Sequence, residues 1–150
     1  MTGRAAVFAS LLLLGACSPA KGGPPVTATV QIRTDAGRVA VHARVADTDA
    51  SRQRGLAGVR HLPDQQGMAF LFDHPIPAAF WMKDTLIPLS IAFWTPDGRI
   101  VAMEDMTPCP AGPCARYRAP APVAGALEVN LGFFQRHGVE VGDRVELSGF

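Results

Sequence analysis

Leu89-Ser90-Ile91-Ala92-Phe93-Trp94-Thr95-Pro96-Asp97-Gly98-Arg99-Ile100-Val101-Ala102-Met103-Glu104-Asp105-Met106 decides the fold class. Two apolar runs of strand length flank Thr95-Pro96-Asp97-Gly98. In that tetrapeptide Pro presets one backbone angle, Asp bonds locally and Gly accepts the left-handed conformation. The pattern predicts a strand, a tight turn and a return strand. Toward the N-terminus, Ile87-Pro88 separates this unit from another extended piece, Phe80 to Thr85, and Gly67 to Phe72 reads as a short, strongly apolar strand. Further back, Val26–Arg33 and Val39–Val45 alternate around Asp35-Ala36-Gly37, which predicts a hairpin with Val39, Val41, Ala43 and Val45 on one face. His42 falls on the polar face of that hairpin. Asp47 or Thr48 caps a short helix over Asp49 to Arg54, with Gly55 near its end. Toward the C-terminus follow Gly125 to Asn130, a helical turn around Gly132 to His137, and a last strand, Asp143 to Leu147.

Seven or eight short strands with tight turns imply a mostly β protein: a single compact antiparallel domain, β-barrel-like or sandwich-like, with one or two short helices. The composition agrees. The 150 residues are 48% hydrophobic, with 15 Gly and 13 Pro, which favours turns over long helices. A formal net charge of +1 provides no basic footprint for phosphate neutralisation, so nucleic acid is not expected as a partner.

The N-terminus reads as an address. Arg4 precedes the apolar run Ala5 to Leu14, which is too short to span a bilayer but has the length of a signal-peptide core. Leu14-Gly15-Ala16-Cys17 resembles the bacterial lipobox. The resemblance implies that residues 1–16 are a lipoprotein signal peptide, that Cys17 is acylated, and that the chain is exported and anchored to the cell membrane or outer membrane. Several acyl chains anchor durably where one does not, at about 0.8 kcal/mol per buried methylene. Residues 17–25 read as a flexible tether and 26–150 as the globular domain. Loss of Arg4 with the signal leaves equal numbers of basic and acidic side chains, and so no polybasic second anchor.

Cys109 and Cys114 lie in Pro108-Cys109-Pro110-Ala111-Gly112-Pro113-Cys114, and in an exported chain they are expected to form a disulfide. No second Cys pair or closely spaced His pair accompanies them, so no metal site is expected, and no cofactor motif is present. Met68, Met82, Met103 and Met106 sit in apolar contexts that suit core packing rather than copper.

Four blocks carry a family resemblance. They are Arg54-Gly55-Leu56, Gly67-Met68-Ala69-Phe70-Leu71-Phe72, the run from Trp81-Met82-Lys83-Asp84-Thr85 to Ala92-Phe93, and Leu127-Glu128-Val129-Asn130-Leu131-Gly132, with Gly138-Val139 and Gly142-Asp143 behind them. Together they resemble the prokaryotic family known as domain of unknown function 192, over about residues 28 to 148. The resemblance implies a mostly β, commonly exported protein and no established activity, substrate or cofactor. The family pattern usually has Asn at the position of Asp84 and Asp at that of Ser90.

If Phe80 to Thr85 is extended, Trp81, Lys83 and Thr85 share one face, and Glu128 and Asn130 share another on their own strand. Lys83 paired with Glu128, beside Thr85, Asn130 and the Trp81 ring, forms a candidate ligand-binding cluster for a sugar, peptide or carboxylate. The same pair can equally serve as a structural ion pair fixing register. No nucleophile elbow or metalloprotease motif occurs. A glycoside hydrolase would need Glu128 with Asp84 or Glu104. The reading is therefore a membrane-anchored, extracytoplasmic module that binds a small ligand or an envelope protein. The alternatives are a small hydrolase acting on envelope glycan or peptide, and a purely structural interaction protein.

Overall fold

The computed structural model describes residues 25–149. The expected signal peptide, Cys17 and nearly all of the expected tether lie outside the described residues. Seven strands form one sheet in the order β6-β5-β8-β3-β2-β1-β9. They are β1 (Thr27–Thr34), β2 (Gly37–Ala46), β3 (Gln66–Ile76), β5 (Leu89–Trp94), β6 (Ile100–Met106), β8 (Val123–Asn130) and β9 (Arg144–Ser148). Two two-residue strands, β4 (Ala79–Phe80) and β7 (Tyr117–Arg118), pair separately. The helices are α1 (Asp49–Arg54) and α2 (Phe133–Arg136), so among the described residues no helix is long and apolar enough to cross a membrane.

Local signals place most of these elements. Thr48 caps α1 through a reciprocal box with Ser51, and Gly55 ends it at φ 48°. In the Thr95–Gly98 turn, Gly98 N–H donates to Thr95 O and Thr95 N–H to Arg99 O, which returns the chain into β6. The pairing is mostly antiparallel, but β2 and β3 run parallel, from His42↔Gln66 to Ala46↔Phe70. The sheet is therefore mixed, because the 47–65 crossover carrying α1 brings β3 back in the same direction as β2.

The sheet curls but does not close. One cluster takes Ile32 from β1, Val41 from β2, Ala69 from β3, Trp94 from β5, Ile100 from β6, Val129 from β8 and Val145 from β9. Side chains from all seven strands meet in one core only if the sheet bends around them. Its two edge strands, β6 and β9, share no ladder; their ends meet at the isolated bridge Arg99↔Arg144, with Ile100 N–H donating to Asp143 O and Val145 N–H to Gly98 O. Phe133 and Phe134 of α2 pack into the same core and fill the side left open. Ser90 fixes that plug, accepting from Gly132 N–H at 2.8 Å and donating to Asp105 Oδ1 at 2.5 Å. The barrel alternative is thus corrected: an open, strongly curled sheet with a helical plug replaces closure by a continuous ladder.

The central strands are buried on both faces, and every residue of β5 is buried. Their second face holds Met68, Phe70, Ile91, Phe93 and Ala126, and is covered by Leu56, Leu62, Ala78 and Met82 from the connecting segments. Gly125 shows how tightly these layers are built. A Cβ there would lie 2.3 Å from the Trp94 ring and 2.7 Å from Phe70 O. Gly125→Ala is expected to lower stability by about 1–3 kcal/mol through overpacking, measurable by urea unfolding. An unchanged midpoint would contradict the close approach.

Candidate functional site

A cavity of about 260 Å³ opens between the second face of the sheet and its cover. Its walls are apolar: Leu56 follows α1, Phe70 and Phe72 come from β3, and Phe80 from β4. Phe80 stands edge-on to Phe70 with ring centres 4.8 Å apart. Glu128 of β8 and Thr85 form the polar part of the lining, and both are buried. In the ladder Glu128 sits between Met68 of β3 and Ile91 of β5, which share its face and are buried and apolar. Glu128 is 4% exposed and, among the described residues, takes part in no ion pair. Burial alone pushes its carboxyl up to about 8, so it stays protonated at neutral pH.

The mouth of the cavity is cationic. Arg52 and Arg54 come from α1, Lys83 from the β4–β5 connection, and Arg116 from the segment leading into β7. Arg52 is fully engaged: it pairs with Asp49 Oδ1 at 2.7 Å and donates to the carbonyls of Asp47 and Leu71. Arg54, Lys83 and Arg116 have no carboxylate partner among the described residues. The Arg116 guanidinium lies 4.2 Å from the centre of the Trp81 ring, and Lys83 Nζ lies 5.8 Å from it.

The sequence-derived site is gathered in part. Trp81, Lys83, Thr85 and Glu128 all line the cavity, whereas Asn130 does not. Asn130 Nδ2 donates to Leu62 O at 2.8 Å and holds the 62–63 loop down on the sheet. The Lys83–Glu128 ion pair is not formed, because one side chain lies exposed at the mouth and the other under the cover. The segment is not a strand beyond Phe80. Met82 O accepts from both Thr85 N–H and Cys109 N–H, and Asp84 turns the chain at φ 58°. Asp tolerates that left-handed conformation, as does the Asn usual in the family pattern. The turn, rather than strand alternation, brings Trp81, Lys83 and Thr85 to one cavity.

Cys109 and Cys114 are bonded, with Cα atoms 5.7 Å apart. Cys109 bridges to Lys83, and β7 pairs with β4, so the disulfide loop braces the Trp81 segment and carries Arg116 over its ring. Arg54 and Arg116 were missed by sequence reasoning as site residues. The block Arg54-Gly55-Leu56 was the available signal for the first, and no local signal marked the second.

The carboxylate pair for glycoside hydrolysis is not assembled at this cavity. Glu128 is the one carboxylate in its lining. Glu104 lies two strands away with buried Ile91 between them, and Asp84 is exposed on the turn. Among the described residues, no group of three or more His, Cys, Asp or Glu side chains is placed to hold a metal ion.

Residues 30–147 match the family model DUF192, described as uncharacterized ACR. No curated protein matches the chain. Among solved structures, a candidate transcription regulator from Sinorhizobium meliloti 1021 is 31% identical, with a TM-score of 0.78, over 86% of this chain and 99% of its own. A protein of unknown function from Novosphingobium aromaticivorans DSM 12444 is 30% identical, with a TM-score of 0.76, over 88% of this chain and 99% of its own.

Proposed function

This chain belongs to the DUF192 family, and from that premise we propose that it is a binding module whose cavity above Glu128 takes a small ligand. One observation carries the reading. A carboxyl group 4% exposed lines an open cavity and takes no charged partner among the described residues. An ionisable group kept in such a place costs stability, and proteins retain that cost mainly where a site needs the group. The apolar walls with a few convergent polar groups are the usual makings of a ligand pocket. The lone carboxylate favours binding over two-carboxylate hydrolysis.

Within this proposal the module is exported and held at the bacterial cell membrane or outer membrane by lipid on Cys17, and an envelope protein remains the alternative occupant. The lipobox-like Leu14 to Cys17 supports the anchor, and the Cys109–Cys114 bond suits an oxidising compartment. Labelled palmitate should enter the wild-type chain and not Cys17→Ser. Equal labelling would remove the anchor from the account. Regulation of transcription, suggested by the name of the Sinorhizobium relative, is less well supported, because basic and acidic side chains are balanced and the unpaired cations gather at a pocket.

The cavity is tested by a thermal-shift panel of small aromatic and short-chain acids, amides and alcohols. At one hundred times its dissociation constant a ligand stabilises by about 2.7 kcal/mol. At least one compound should raise the melting temperature of the wild type, and the rise should shrink in Glu128→Leu. A panel with no effect, or a rise identical in the variant, would overturn the reading.

A further inference from the structure

We propose that the ligand is a small amphipathic anion bound head-outward: its anionic group meets Lys83, Arg116 and Arg54 at the mouth, its apolar body lies along Phe70 and Phe80, and a polar group at its far end meets Glu128 and Thr85. This assignment rests on the cavity reading above and gives it a chemical class.

Charge decides the head group. Three cations line the mouth without a carboxylate partner among the described residues, while neighbouring Arg52 shows what a satisfied one looks like, with Asp49 and two backbone carbonyls around it. The Arg116 guanidinium sits over the Trp81 ring at 4.2 Å, which holds it at the mouth, and its N–H groups suit a carboxylate or phosphate. A cationic ligand would enter against these three charges with no anionic partner, because burial keeps the Glu128 carboxyl neutral near pH 7.

Size and lining decide the rest. A volume of about 260 Å³ exceeds the ~150 Å³ that accommodates a benzene ring and falls short of the larger sites built for drug-sized molecules. The aromatic walls from β3 and β4 therefore suit one ring or a short acyl chain. At the floor, a protonated carboxyl and a hydroxyl offer hydrogen bonds to a distal hydroxyl or carbonyl.

The test uses three probes: 4-hydroxyphenylacetate, its uncharged amide 4-hydroxyphenylacetamide, and phenylacetate, with affinities from calorimetry on the intact chain at pH 7. The acid should bind about tenfold or more tightly than the amide, as expected for a charge-assisted contact. The Lys83→Ala/Arg116→Ala double variant, which keeps Arg54, should narrow that preference about threefold or more. Both side chains are exposed, so their removal leaves the core intact. Removing the 4-hydroxyl should weaken binding severalfold in the wild type and clearly less in Glu128→Leu. If the amide matches the acid, or the charge preference is undiminished in the double variant, the anionic assignment is wrong while the cavity reading stands. If neither acid nor amide binds while only uncharged compounds of the thermal-shift panel do, the anion is likewise overturned. If nothing binds, both fall together.

Discussion

Glu128→Gln should stabilise the protein at neutral and alkaline pH, by about 4 kcal/mol at pH 7.5. In the unfolded chain the carboxyl ionises above its ordinary value of 4.5, whereas in the fold it keeps its proton until about pH 8. Between those values the native state binds more protons than the unfolded state, so stability falls as pH rises through the window. The contribution is complete below pH 4.5 and lost above pH 8. Glutamine fills nearly the same volume and carries no charge to desolvate, so the variant escapes the loss. Urea unfolding of both proteins at pH 4.5 and pH 8 checks this: the two should be nearly equal at the lower pH and well separated at the higher. If the variant is instead destabilised by the same amount at both, Glu128 has a protein partner, and the structural ion-pair reading returns.

Phe70→Ala should lower stability by about 3–5 kcal/mol, as large-to-small changes of a fully buried aromatic do. Phe70 is 2% exposed, packs edge-on to Phe80, and lies 3.5 Å from where a Cβ on Gly55 would sit. It therefore joins the sheet, the end of α1 and the β4 segment at one wall of the cavity. Phe70→Leu keeps most of the volume and should cost about 1 kcal/mol, leaving a folded protein in which ligand affinity can be compared. A Phe70→Ala loss below 1 kcal/mol would mean that the wall collapses inward and the cavity is not held open by packing.

How far the fold was legible follows from where its information lies. The 95–98 turn, the β1–β2 hairpin and the capped helix α1 are specified within a few residues by Pro, Gly, Asp and Thr chemistry, and they occur where the sequence put them. The parallel β2–β3 pairing is not local. It depends on how the 47–65 crossover packs, and alternation along β2 reads the same for either direction. Closure is likewise undecided by strand count, since seven strands can form a barrel or a curled sheet with a plug, and the two phenylalanines of α2 select the second.

The site divides in the same way. Trp81, Lys83, Thr85 and Glu128 were named together from strand alternation, and they do meet, although the chain at Lys83 and Asp84 is a turn. Asn130 met the same rule and failed, because the carbonyls of Leu62 and Pro63 claim its amide. Arg116 lies 35 residues after Trp81 in a loop with no periodicity. The β4–β7 pairing, the Lys83↔Cys109 bridge and the Cys109–Cys114 bond bring it onto that ring.

One carboxyl group defines the floor of the cavity, and a ¹³C NMR titration of Glu128 in the free protein and with 4-hydroxyphenylacetate reads its state. A midpoint of about 8 in the free protein, moving when the probe fills the cavity, is the predicted result. A midpoint in the ordinary carboxylate range that ignores the probe would contradict it, and Glu128 would then be solvated scaffold rather than the floor of a binding site.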